Sequence, residues 1–153
     1  MRDRQMRKTA KEWKTFYSDP EFEQNYTYEG HDLGAACTED GTSILLWSPV
    51  AESVTVRFYH DGESEDSYRT EAMVKEGKGV WAYRTKEVLH KVYYDFELSI
   101  EGKMICSADP YAKACGINGK RSMIVDLKRT DPKGWEEDVS PAYQQEQIIY
   151  ELH

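Results

Sequence analysis

Val92-Tyr93-Tyr94-Asp95-Phe96-Glu97-Leu98-Ser99-Ile100-Glu101 decides the fold. Val92, Tyr94, Phe96, Leu98 and Ile100 take every second position, and Tyr93, Asp95, Glu97, Ser99 and Glu101 fill the gaps. Side chains of a strand point alternately to opposite faces, so this period of two puts the apolar set on one face and the polar set on the other. The segment reads as a half-buried strand closed by a Glu101-Gly102 turn. Upstream, Val54, Val56 and Phe58 alternate in the same way with Thr55, Arg57 and Tyr59. Further strands are expected over 33–38, 42–48, 68–74, 80–85, 103–107 and 122–127. Turn signals separate them at short intervals: Glu39-Asp40-Gly41, Asp61-Gly62, Gly77-Lys78-Gly79 and Asn118-Gly119. Roughly eight short strands joined by such turns describe a mainly β protein built as an antiparallel β-sandwich.

The two ends follow different rules. Met6, Ala10, Trp13 and Phe16 or Tyr17 recur at helical spacing, so an amphipathic helix is expected over about residues 3–17, laid on the sandwich. This is preferred to a partner- or membrane-surface role or a transit peptide. Asp19-Pro20 ends the helix, because proline disfavours helical geometry in the residue before it. At the other end, Gln147-Ile148-Ile149-Tyr150-Glu151-Leu152-His153 is apolar with only weak alternation. That is the pattern of a strand covered on both faces, as in a parallel sheet or barrel core, and it makes an orphan C-terminal strand in a chain that stops there.

Several function classes are disfavoured. The 153 residues carry a net charge of −8, although six of the twenty basic residues fall in the first fourteen positions. An acidic surface repels phosphate backbones, and no basic-aromatic platform follows the leader, so nucleic-acid binding is not expected. No window approaches the roughly 18 apolar residues of a membrane span. No secretory signal is read at the start, which makes the cytoplasm the expected compartment. Cys37, Cys106 and Cys115 form an odd set without metal-ligand spacing, so neither a disulfide framework nor a zinc site is expected. His31, His60, His90 and His153 are scattered, and no nucleophile-elbow or phosphate-loop motif occurs. No catalytic residue, metal site or cofactor is therefore assigned.

The order of segments resembles the amino-terminal region of type I pullulanases. Tyr28-Glu29-Gly30-His31-Asp32-Leu33-Gly34-Ala35 comes first, then Leu46-Trp47-Ser48-Pro49-Val50-Ala51, Gly79-Val80-Trp81 and Tyr93-Tyr94-Asp95-Phe96. Asp109-Pro110-Tyr111-Ala112-Lys113-Ala114 and Asn118-Gly119-Lys120-Arg121-Ser122-Met123 lead on to Val125-Asp126-Leu127, and Ile148-Ile149-Tyr150-Glu151-Leu152-His153 resembles the first barrel strand of that family. The resemblance implies an immunoglobulin-like carbohydrate-binding module of family 48, preceding a glycoside hydrolase family 13 barrel that cleaves α-1,6-glucosidic branch points with two carboxylates. On that reading residues 1–27 are a helical leader, 28–127 the module, 128–146 a linker and 147–153 the first strand of a missing (β/α)8 barrel. The family's catalytic residues have no counterpart in this chain. The expected partners are that barrel and α-glucan such as glycogen, starch or pullulan. An autonomous glycogen- or starch-binding module and a regulatory adaptor are the competing readings.

Glycan recognition needs exposed aromatic faces against the apolar face of a glucose ring, with polar neighbours for the hydroxyls. Tyr59, Tyr68 and Tyr93 fall opposite the expected core face and are the candidate carbohydrate contacts. Trp81 and Tyr83 are assigned to the core. In starch-binding relatives a tryptophan follows the turn that matches Glu101-Gly102, and a lysine lies in the strand before it; this chain has Lys103 and Met104, and Glu97. Trp47, Asp109, Pro110, Tyr111, Ala112 and Trp135 are the candidate interdomain docking residues. Proline fixes its own φ and holds Asp109 extended, Tyr111 offers an amphipathic surface, and Ala112 permits close approach.

Overall fold

The computed structural model describes residues 8–140 and 148–152. Among them, nine strands form two antiparallel sheets. One sheet runs in the order β1 (Gly34–Thr38), β2 (Gly41–Trp47), β6 (Val80–Thr85), β5 (Val74–Lys75). The other runs β4 (Arg69–Ala72), β3 (Ser53–Tyr59), β7 (Tyr93–Ile100), β8 (Lys103–Ser107). A short β9 (Ser122–Met123) pairs with Tyr93 and Tyr94, on β7 just before the stretch taken by β8.

The alternation in β3 and β7 is matched residue for residue. Val54 lies opposite Leu98, Val56 opposite Phe96 and Phe58 opposite Tyr94, and all six are buried in the main core. From the facing sheet come Ile44, Leu46, Trp81 and Tyr83. Packing at this density makes the centre sensitive: truncating Phe96 to alanine costs about 3–5 kcal/mol. The first sheet is covered on its outer face as well, where Leu45, Val80 and Ala82 lie beneath Tyr28, Leu33 and Trp47. Gly79, at φ +79°, brings the chain against Pro49, where an added Cβ would come within 2.7 Å of the proline ring.

Two expected strands are shorter than their sequence patterns. The 68–74 run is split, because the chain passes from one sheet to the other at Met73, whose side chain is buried and whose N–H donates to the Val54 carbonyl. Only Ser122–Met123 of the 122–127 run pairs as a strand. Beyond it Ile124 is buried and donates to the Val92 carbonyl, and the chain then turns over Leu127–Arg129.

The leader differs from expectation in extent and in number of helices. α1 spans Ala10–Tyr17 and starts at a capping box in which the Thr9 hydroxyl accepts from Glu12 N–H and the Glu12 carboxylate accepts from Thr9 N–H at 2.6 Å. Residues 8 and 9 precede the helix, and the earlier part of the expected helix lies outside the described residues. Pro20 ends α1 but also opens α2 (Pro20–Tyr26): it occupies the first turn, where a missing N–H costs nothing, and Asp19 caps it.

The expected C-terminal strand is a second correction. Residues 148–152 form no strand, and Ile149 is 87% exposed; positions 147 and 153 lie outside the described residues. A strand satisfies its backbone through a neighbour, so a β-rich composition alone does not produce one.

Candidate functional site

On the outer face of the β3–β7 pair the cross-strand register puts Arg57 opposite Asp95, Thr55 opposite Glu97 and Tyr59 opposite Tyr93. Arg57 donates to both Asp95 oxygens, from Nε at 2.8 Å and from Nη2 at 2.9 Å, and reaches Glu97 from Nη1 at 3.4 Å. The Tyr59 hydroxyl lies 3.2 Å from each Asp95 oxygen. Arg121 approaches from another segment, with Nη1 3.2 Å from Asp95 and its guanidinium 4.0 Å from the Tyr59 ring centroid. Hydrogen bonding to Asp95 strengthens the hold of Arg57 on its proton, while burial followed by the Asp95 charge raises the Tyr59 phenol above its ordinary value.

Two loops close over this cluster. Arg121 Nη2 donates to the Ser64 carbonyl at 3.1 Å, and Lys120 Nζ donates to the Glu63 carbonyl at 3.0 Å and to Glu65 at 2.6 Å. Gly62 and Gly116 meet beside the Tyr93 ring, where an added Cβ on either would come within 3.2 Å of Cε1. Tyr59 is consequently 1% exposed. Its assignment as an exposed glycan contact is therefore corrected: the face it occupies is opposite the core but roofed by loops. Tyr93 is half-buried in the same place. Tyr68 is exposed and stacks on His60 with centroids 4.1 Å apart, so one ring face is already occupied.

Beside the start of β7 the Asp109 corner is anchored inward. The buried Asp109 carboxylate accepts from the Tyr94 hydroxyl at 2.6 Å and from Tyr111 N–H at 2.8 Å, while Asp109 N–H donates to the Ser122 hydroxyl at 2.8 Å. Burial raises the carboxyl, and burial followed by the Asp109 charge raises the Tyr94 phenol strongly. Asp109 thus shapes the corner, and Pro110 and Tyr111 are the residues it presents to solvent. Ala112 is half-buried and closes the turn on the Asp109 carbonyl. Gly34, at φ +94°, lies against the Tyr111 backbone, where a Cβ would come within 2.9 Å of the carbonyl oxygen.

Residues 32–112, which span β1 to the Asp109 corner, match carbohydrate-binding module 48, the isoamylase N-terminal domain. The chain belongs to the carbohydrate-binding module 48 family. It is 32% identical over 133 residues to a pullulanase of Bacillus subtilis, a match that takes in 86% of this chain and 18% of that protein. Among solved structures it resembles pullulanase from Bacillus acidopullulyticus, with 36% identity, a TM-score of 0.70 and coverage of 75% of this chain and 14% of the other. It also resembles pullulanase from Paenibacillus barengoltzii in complex with maltohexaose and α-cyclodextrin, with 32% identity, a TM-score of 0.75 and coverage of 82% and 19%. The chain thus spans less than a fifth of the length of each of these relatives.

In this module 48 chain the remaining docking candidates have separate roles. Trp47 docks onto the chain's own leader: Nε1 donates to the Tyr26 carbonyl at 2.9 Å and to the Lys78 carbonyl at 3.1 Å, and Phe22 meets the ring edge-on. Trp135 sits on a 3-10 turn, Trp135–Glu137, and is 58% exposed. The module's core tryptophan, Trp81, is buried and donates to the Ser48 carbonyl at 3.0 Å. Sequence reasoning missed Asp95 and Arg121, which read locally as solvated polar positions. It also left Trp13 and Phe16 as parts of a helical stripe and did not single out Tyr26, which lies on α2.

Proposed function

We propose that this chain is the non-catalytic amino-terminal module of a pullulanase-like enzyme that hydrolyses α-1,6 branch points, that its main role is to pack against and orient a catalytic barrel, and that α-glucan contact is a weaker second role. One observation carries this reading. The outer sheet face is occupied by the Arg57–Asp95–Glu97 ion cluster, while Met104 and Ile105 on β8 and Tyr111 on the adjoining corner stand exposed. Exposed apolar groups on an edge strand and corner suit a partner surface better than an ordered sugar chain. The likeness to pullulanases supports the choice of parent activity, and the maltohexaose-bound relative supports α-glucan as the sugar class.

Affinity electrophoresis of the purified chain through amylopectin gels tests the balance of the two roles. Weak or no retardation is expected; marked retardation overturns the architectural reading in favour of an autonomous glucan-binding module. Pullulan incubated with the chain alone is expected to release no reducing sugar.

A further inference from the structure

Beyond the short β9 pairing, the buried Ile124 donates to the Val92 carbonyl at 2.9 Å, and its own carbonyl accepts from Lys91 N–H at 2.8 Å. The next attachment is to a side chain: Asp126 N–H donates to His90 Nδ1 at 3.0 Å. For residues 125–140 this is the one hydrogen bond to any other described part of the chain, since the rest close turns within the segment. We propose that His90 is a pH-operated latch that holds the segment leaving the sandwich and releases it on acidification.

The bond requires a neutral ring. An uncharged imidazole accepts at one nitrogen, whereas the protonated ring donates from both, and Nδ1–H would then face Asp126 N–H. The bond is therefore made at neutral pH and lost as pH falls and the ring takes up a proton. The loop that carries His90 is tied to the first hairpin, where the Thr42 hydroxyl donates to the Glu87 carbonyl and accepts from Leu89 N–H. Charged groups on the elements that meet this loop are Glu39 and Asp40 on the hairpin and Asp126 and Lys128 on the held segment, with Glu87 and Lys91 on the loop itself. Glu87 is engaged by Arg69, and the Asp126 carboxylate accepts from Lys128 N–H at 3.2 Å. A charged ring that turned toward Asp126 would still vacate the backbone bond.

One imidazole governs more than one peptide. The Asp126 that it fixes opens the Leu127–Arg129 turn: the side chain caps Lys128 N–H, and the carbonyl accepts from Arg129 N–H at 3.1 Å. Val125, Leu127 and Arg129 also line a groove of about 660 Å³ together with Cys37 and Asp40 of the first hairpin. Release of the latch frees that wall, and with it the direction in which the chain leaves the sandwich.

The test is amide hydrogen exchange of the intact chain, read by NMR at about pH 5 and about pH 8, the span over which histidine changes charge, and corrected for intrinsic exchange rates. Protection of the Asp126, Arg129 and Thr130 amides is expected to be at least tenfold lower at the acidic end, with β3 and β7 unchanged. His90→Asn sets an amide oxygen in the place of Nδ1 and accepts the same bond without titrating, so it should protect these amides at both pH values. His90→Phe supplies no acceptor and should leave them unprotected at both, with an unaltered melting curve showing that it is folded. Should His90→Phe fail to fold, His90→Asn decides alone. Wild-type protection of these amides that does not change with pH overturns the latch. A step of the same size in His90→Asn assigns the titration to another group and overturns it equally.

Discussion

Asp95 receives two hydrogen bonds from Arg57 on the outer face of a sheet, at 2.8 and 2.9 Å, yet its side chain is only 3% exposed. A carboxylate taken out of water in this way depends on its partners for solvation. Removing it by Asp95→Ala leaves Arg57 and the buried Arg121 without their shared anion. A loss of about 3–5 kcal/mol in urea unfolding is expected, the range for breaking a buried pair. The triple change Arg57→Met/Asp95→Leu/Arg121→Met should recover most of it. A single variant as stable as wild type would remove this cluster from the stability of the sheet.

The Asp109 corner makes stability depend on pH in a defined sense. Burial raises its carboxyl, so the folded state favours the protonated form more than the unfolded chain does. This contribution is fully present below the ordinary carboxylate value and is lost as pH rises through the raised folded value. The stability of wild type relative to Asp109→Asn should therefore decline across that interval, measured by chemical unfolding at a series of pH values. A difference that grows with pH would contradict the burial assignment. Tyr94→Phe, which removes the 2.6 Å donor to this carboxylate, is expected to cost about 1–3 kcal/mol.

The strands were legible because burial on one face writes a period of two directly into the sequence, as in Val54-Val56-Phe58 and Tyr94-Phe96-Leu98. What alternation cannot report is coverage by distant segments. Tyr59 lies opposite the core as its position requires, but Arg121 arrives from far along the chain, bonds to Ser64 in the loop just after β3 and helps seal it. Asp95 has the same history. Pro20 carried two messages, a stop for α1 and a first-turn proline for α2, and only the stop is visible without the Asp19 cap geometry.

Trp47 is the fastening of the leader. Its indole N–H is shared between the Tyr26 and Lys78 carbonyls, and Lys78 Nζ returns a bond of 2.7 Å to the Gln24 carbonyl. Trp47→Phe keeps most of the packing and deletes only the donor, at a cost of about 1 kcal/mol. Hydrogen exchange should show faster exchange at Phe22 to Tyr26 with unchanged protection in β3 and β7. Uniform loosening of both sheets would instead make Trp47 part of the global fold.

The C-terminal run offers the sharpest separation between composition and contribution to folding. Ile148, Ile149, Tyr150 and Leu152 are each at least 80% exposed, so their apolar area adds almost nothing to the folded state. Exposed β-prone apolar residues do favour association between molecules, through the same groups that a neighbouring strand would cover. Deleting residues 147–153 should therefore shift the melting temperature by less than about 2 °C, since a change of 1 kcal/mol moves a chain of this size by only a few degrees. Light scattering at high protein concentration should fall in the same variant. A drop in melting temperature of about 10 °C would show that the run is integral to the sandwich, and unchanged scattering would show that its exposed side chains do not drive association.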